Sequence, residues 1–269
     1  MSEHTPVLAL DLSAGYHGRD DVLRKIQLQI GAGEIVGLVG ESGSGKSTLT
    51  LAVLQLLFLK NGYSKGSVRL NGKELIGLSE SELREIRGRD IGLVLQSPTS
   101  SLNPALKIGT QLHETWRAHK PGSRKECTPI FLELLRSLNL DADEKFLQRK
   151  PSQISVGQAQ RVLIAMAILH HPSLVIADEP TSALDVITQK EVLCIFRQLA
   201  RERNIAILFV SHDLLAVSSL CDRIAILREG EIVESGPTVR VLSVPQHSYT
   251  KQLVSALPNI EFSSADHRG

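Results

Sequence analysis

Apolar residues in this chain fall into two alternating patterns, and the alternation predicts the fold. The first is the short unbroken run: Ile35–Val39 and residues 91–95, 174–177 and 205–210 carry no charged or amide side chain. Runs of this length belong to strands buried on both faces, as in a parallel sheet covered by helices. The second pattern returns every three or four positions. Leu49, Ala52, Val53 and Leu56 give residues 46–59 one apolar face, and residues 188–201 read as another helix between two strand runs. Strand, helix, strand in succession is the signature of an α/β fold. Strands are also expected at residues 7–13 and 26–30, punctuated by glycines 15, 18, 31 and 33. Asn71-Gly72 after Ser67-Val68-Arg69-Leu70 is a hairpin turn, and a second hairpin is expected around Gly230, between residues 224–227 and 232–233. From Pro104 to about Lys150 the pattern is helical throughout, with Ile130, Leu134, Leu135 and Leu138 on one face. No internal repeat or low-complexity tract interrupts the chain. The polar segment 262–269 is expected to fray.

Bulk composition changes this picture only by exclusion. The 269 residues carry 30 basic and 29 acidic side chains, so no electrostatic case for nucleic-acid binding exists. Cys127, Cys194 and Cys221 are far apart, with no metal-ligand spacing, and read as free thiols of a reducing compartment. The N-terminus lacks a basic segment followed by an apolar core, so no signal peptide is expected. The longest apolar stretch, residues 49–59, holds Thr50 and Gln55 and is too short to span a bilayer. The expectation is a soluble chain that meets a membrane only through another protein.

One segment carries chemistry. Residues 40–47 read Gly-Glu-Ser-Gly-Ser-Gly-Lys-Ser, a complete GxxxxGK[ST] loop between a predicted strand and a predicted helix. About 0.01 such matches are expected by chance at average composition in a chain of this size, so a glycine-rich turn without function is a poor account. In such a loop the backbone N–H groups of Gly40, Glu41, Ser42, Gly43, Ser44 and Gly45 and of the following Lys46, Ser47 and Thr48 surround phosphate oxygens. Lys46 then reaches the β- and γ-phosphates and Ser47 the Mg²⁺. Leu174-Val175-Ile176-Ala177 ends in Asp178-Glu179. A carboxylate at a strand end beside a phosphate loop is where Mg²⁺ is held, which marks Asp178. By strand alternation Glu179 points elsewhere, as a general base that polarises water.

With these residues in place the chain resembles the ATP-binding subunits of ABC transporters, over almost its whole length. Gln153-Ile154-Ser155-Val156-Gly157-Gln158 is similar to their signature motif, Ser182-Ala183-Leu184-Asp185 to the D-loop, Gln96 to the Q-loop glutamine and His212 to the switch histidine. Tyr16, 24 residues before Gly40, stands where that family places an aromatic against adenine. The resemblance implies a P-loop α/β nucleotide-binding domain with an antiparallel β subdomain and a helical subdomain at about 100–155. One domain over residues 1–260 and a flexible tail at 261–269 are expected. It also implies that Gln96 joins Ser47 and Asp178 at Mg²⁺, that His212 contacts the γ-phosphate, and that two such chains sandwich two ATP molecules. Ser155, Gly157, Gln158 and Asp185 would then serve the partner's nucleotide, Ser155 through a helix N-terminus whose free N–H groups and dipole favour an anion. Val156 departs from the usual glycine. A β-branched residue resists positive φ, so the site it completes is expected to be weaker.

Two further segments are similar to one branch of the family, the dipeptide, oligopeptide and nickel importers: Gln96–Pro104 and the tail Pro-Gln-His-Ser-Tyr-Thr-Lys-Gln-Leu at 245–253. The second also reads as an ordinary amphipathic helix through Tyr249, Leu253 and Leu257. Many members carry a cysteine-rich extension beyond that tail; no cysteine follows Cys221, so no iron–sulfur cluster is expected. The resemblance implies ATP hydrolysis with Mg²⁺ on the cytoplasmic face of the bacterial membrane, coupled to uptake of a small solute such as a peptide or nickel complex. It implies two membrane-spanning permease subunits, a second ATP-binding subunit, identical or merely homologous, and an extracytoplasmic solute-binding protein. A different class stays open, a non-transport ATPase subunit of a soluble complex such as the carbon–phosphorus lyase machinery. DNA-repair and translation members carry a coiled-coil insertion or two nucleotide-binding units, and neither is present.

Overall fold

The computed structural model describes residues 5–18 and 21–257. Its centre is a six-stranded sheet. The strands are β3 (Ile35–Val39), β6 (Ile91–Val94), β7 (Leu174–Asp178), β8 (Ala206–Ser211), β9 (Arg223–Arg228) and β10 (Glu231–Pro237), in the order β10-β9-β3-β8-β7-β6. All pair in parallel except β10, which folds back on β9 through Glu229 and Gly230, both with positive φ. The expected hairpin is therefore present, with a bulge between Ile232 and Glu234. A second, antiparallel sheet has the order β2-β1-β4-β5, from β1 (Leu8–Tyr16), β2 (Asp21–Ile30), β4 (Gly62–Leu70) and β5 (Lys73–Glu74). Asn71 and Gly72, at φ 49° and 80°, make the predicted tight turn into β5.

Period-two alternation divides the core in two. Val36, Leu38, Leu208 and Val210 face the antiparallel sheet and pack with Leu10, Leu12, Ile26 and Val68. Ile35, Val39, Ile207 and Phe209 face the other way, onto helices α7 (Val156–Ile168), α8 (Val186–Arg203) and α9 (Leu214–Leu220). The same core continues into α4 (Ile108–Arg117), α5 (Arg124–Ser137) and α6 (Glu144–Gln148), the expected helical region, where Phe131 is 2% exposed and meets Trp116 edge-on. Two short helices, α2 (Glu80–Ile86) and α3 (Pro98–Ser101), connect to and leave β6. Among the described residues no helix is long and apolar enough to cross a membrane. The expected fraying of 262–269 lies outside the described residues.

One helix is shorter than its pattern. The helix after the phosphate loop, α1 (Lys46–Val53), ends at Val53, and a 3₁₀ turn follows at Leu57–Lys60. Gln55 takes a left-handed φ of 52°, Leu56 N–H bonds to Leu51 O at 2.8 Å and Gln55 N–H to Ala52 O at 3.1 Å. That pair of bonds is the Schellman closure, here without the glycine that announces it in a sequence. Arg87 seals the same end, donating from Nε to Leu54 O at 2.8 Å and from Nη2 to Gln55 O at 2.9 Å.

Candidate active site

Strand register brings the chemistry together. Val39 pairs with Ser211, Val210 with Asp178 and Ala177 with Val94, so β3, β8, β7 and β6 end at one level. Gly40, His212 and Glu179 directly follow the ends of β3, β8 and β7, and Gln96 follows the end of β6 after Leu95. This is the carboxyl edge of a parallel sheet, where open α/β folds bind ligands. A cleft of about 690 Å³ opens there. Residues 40–43 and 45–48 line it, with Gln96, Glu179 and His212 opposite and Val22, Val39 and Leu253 completing the wall.

The loop holds its shape because of its glycines. Gly43 and Gly45 stand at φ 83° and 112°, a region that side chains resist, and a Cβ on Gly40 would lie 2.3 Å from Leu227 O. Gly45 precedes the first helical residue of α1 (Lys46–Val53) and supplies no side-chain cap. The first N–H groups of that helix therefore have no acceptor of their own and open toward the loop. Lys46 is 7% exposed, and its Nζ donates to Gly40 O at 2.6 Å and Glu41 O at 2.9 Å. Burial pushes its pKa below the ordinary lysine value, against the opposing pull of Glu179 and Asp178. Asp178 is the mirror case: burial and the charge of Glu179 push it up, while Lys46 pulls it down. A desolvated ammonium, a desolvated carboxylate and uncapped helix N–H groups form a site with strong unmet electrostatic demand. Such a site fits a polyanion accompanied by a divalent cation.

Glu179 is held from both sides. Gln96 Nε2 donates to its Oε2 at 3.0 Å, and His212 Nδ1 lies 3.1 Å from its Oε1. Its own backbone is left-handed, φ 47°, and is fixed by Glu179 N–H to Val210 O at 2.8 Å. Glu179 lines the cleft, and Asp178 is not among its lining residues.

Other expected residues stand elsewhere. Ser44 turns inward; its Oγ is buried and has no hydrogen-bond partner. Tyr16 is not among the cleft-lining residues, though its hydroxyl lies 3.3 Å from Thr48 Oγ1, which is. Ser155, Gly157, Gln158 and Asp185 are outside the cleft. Ser155 Oγ caps α7 by accepting Gln158 N–H at 3.2 Å, and Gln158 Oε1 accepts Ser155 N–H in return at 3.0 Å. Asp185 caps α8 through Ile187 N–H and Thr188 N–H. Gly157 seats against Thr188, so these two helix starts are packed together. Val156 corrects the expectation of backbone strain. It is the first residue of α7 and is absent from the positive-φ positions, so its consequence is the bulk of a 40%-exposed side chain, not its dihedral angle. Sequence reasoning missed Val22 and Leu253 as walls of the cleft. Neither has a local signal, because each reaches the loop through the tertiary fold.

A glycine loop on an uncapped helix, with a glutamate positioned opposite at a parallel strand end, defines a P-loop nucleoside triphosphatase. The sequence matches the family described as ABC transporter over residues 23–182, and the chain belongs to that family of ATP-binding, ATP-hydrolysing subunits. It is 38% identical over 252 residues to the oligopeptide transport ATP-binding protein OppD of Bacillus subtilis, covering 93% of this chain and 70% of that one. It is 40% identical over 246 residues to the probable D,D-dipeptide transport ATP-binding protein DdpD of Escherichia coli, covering 91% and 75%. Among solved structures, cbiO1 of Clostridium perfringens, part of the ABC transporter complex cbiONQ, superposes with a TM-score of 0.76 at 25% identity, covering 89% of this chain and 91% of that one. The dimeric post-hydrolysis cassette MJ0796, bound to ADP and Pi, gives a TM-score of 0.71 at 29% identity, covering 86% and 98%.

Proposed function

We propose that this chain is the ATPase subunit of an importer for a small solute of the peptide class, working against the inner face of the bacterial membrane. The observation that carries the mechanism is Glu179, clamped between Gln96 and His212 at the mouth of the phosphate loop. The names of the relatives, an oligopeptide and a D,D-dipeptide transport protein, support the solute class. Dimeric cassettes among the structural neighbours support a second ATP-binding subunit, and two permease subunits complete the assembly.

The triphosphate lies along residues 40–47, its oxygens on Lys46 and on the loop N–H groups other than that of Glu41, which donates to Tyr249 Oη. The adenine lies toward Val22, with Tyr16 behind Thr48. Ser47, Gln96 and Asp178 would hold Mg²⁺, which would supply charge neutralisation to the triphosphate. Glu179 orients water for in-line attack, with His212 steadying the transferred group and fixing the carboxylate together with Gln96. Ser155, Gly157 and Gln158 of the second subunit, with Asp185 near the junction, close over the γ-phosphate and join hydrolysis to movement of the permease.

Two substitutions test this. Lys46→Ala abolishes ATP binding. Glu179→Gln retains binding and loses turnover by about 10²–10⁴-fold, the usual contribution of a general base. Brisk turnover by Glu179→Gln removes Glu179 from its role. Purified from membranes with ATP, the same variant brings with it two polytopic subunits and a second ATPase; soluble partners alone would overturn the importer assignment.

A further inference from the structure

The last described helix (Ser248–Ser255) is built into the phosphate loop. Glu41 N–H donates to Tyr249 Oη at 3.1 Å across 208 residues of sequence. The carbonyl of the same Glu41 accepts from Lys46 Nζ at 2.9 Å. A single residue thus links the phenol to the ammonium. Tyr249 is 3% exposed, and the Arg228 guanidinium lies 4.9 Å over its ring. Burial pushes its hydroxyl above the ordinary phenol range, so the group stays neutral. The helix start is itself anchored. His247 Nδ1 accepts Tyr249 N–H at 3.2 Å, and the Glu234 carboxylate accepts Gln246 N–H at 2.9 Å and His247 N–H at 3.0 Å. One turn further on, Leu253 lines the cleft.

We propose that Tyr249 is a positioning residue of the nucleotide site. Its hydroxyl holds the Glu41 peptide, and through it the Lys46 ammonium, where a triphosphate needs them, while Leu253 of the same helix forms part of the cleft wall. The inference rests on reading residues 40–47 as the ATP site. Its physical basis is the cost of ordering a loop at the moment of binding: a loop already fixed at Glu41 binds more tightly than one that must be fixed by the ligand.

The test uses the full chain. Tyr249→Phe keeps the ring and the Arg228 contact and removes only the oxygen that accepts Glu41 N–H. Dissociation constants for ATP and ADP are measured by calorimetry, with hydrogen exchange at the Glu41 amide and thermal midpoints of the nucleotide-free proteins. The expected result is about a fivefold weaker affinity, the size of one lost neutral hydrogen bond, with faster exchange at Glu41. Lys251→Ala, an exposed position on the same helix, binds as the unaltered chain does. A Tyr249→Phe chain with a lowered midpoint but unchanged affinity and unchanged Glu41 exchange makes Tyr249 a packing residue and overturns the inference. Failure of the unaltered chain to bind nucleotide overturns the ATP-site reading itself, and this inference with it.

Discussion

Glu179 combines two unfavourable backbone circumstances. Its φ of 47° lies in the left-handed region, which costs a side-chain-bearing residue about 1–3 kcal/mol, and it precedes Pro180, which further narrows its choices. The bond from Glu179 N–H to Val210 O and the bonds from Ser182 N–H and Oγ to Glu179 O hold it there. From there the carboxylate reaches Gln96 Nε2 and His212 Nδ1. Glu74 is a carboxylate held for structure instead. Burial would raise its pKa, but the Ser67 hydroxyl and the N–H groups of Val68, Ile76 and Leu75 outweigh that and bring it below the ordinary 4.5. A lowered carboxylate stabilises the fold above its unfolded pKa and loses that contribution as pH falls through the folded value. Glu74→Gln should therefore be less stable than the unaltered chain at pH 7, with the gap closing below about pH 4.5. Urea midpoints at pH 7, 5 and 4 check this; a gap independent of pH would contradict it. The carboxylate side chain is 37% exposed, so solvent screening keeps the effect modest.

The helices differ in how their ends are capped. Ser79, Ser123, Asp143, Ser155, Asp185 and Asp213 each cap a helix with a side chain, whereas α1 begins at Gly45 with no side-chain cap. The missing side-chain cap leaves the first N–H groups of α1 open to the loop. The other end of α1 shows how a pattern can mislead. The apolar periodicity runs on to Leu59, but the chain turns at Gln55 in the left-handed region. Gln55→Gly relieves roughly 1–2 kcal/mol of left-handed strain and returns roughly 0.5–1 kcal/mol to the unfolded chain, for a net gain of about 0.5 kcal/mol. A denaturation midpoint that falls on this substitution would mean that the Gln55 side-chain bond to Ala52 O outweighs the strain.

In the proposed dimer, the cleft of one chain and the starts of α7 and α8 of the other would together form one site. The loop, Gln96, Glu179 and His212 share a cleft, while the starts of α7 and α8 stand outside it, joined by Gly157 against Thr188. Helix starts that are exposed and adjacent, with Val186 68% and Ile187 73% exposed beside them, are suited to meeting the cleft of a second subunit. Val156 adds bulk at that approach. Val156→Gly is expected to raise ATP turnover in the assembled transporter, because the α7 N–H groups come closer to the phosphate once the two methyl groups are gone. Turnover that stays level or drops would show that Val156 does not limit the closure.

The residue order along the chain was enough for the α/β class, for both hairpins and for the phosphate loop, because each is announced by a pattern within a few residues. Periodicity places a strand, Asn71-Gly72 closes a turn, and glycines at fixed spacing shape a loop whatever lies beyond them. The Ser79 to Glu82 capping box of α2 is equally local, yet its seven residues are too few for periodicity to raise them above their surroundings. Long-range contacts settled the rest. Parallel register set four strand ends level and so brought Gln96 and His212 to Glu179. A C-terminal tyrosine reached back to the first peptide of the loop, and Leu253 and Val22 became walls of a cleft. Nothing in the local sequence of Val22 or Leu253 differs from ordinary core or helix, because the free energy that places them comes from burial and pairing with distant partners, which exist only once the chain has folded.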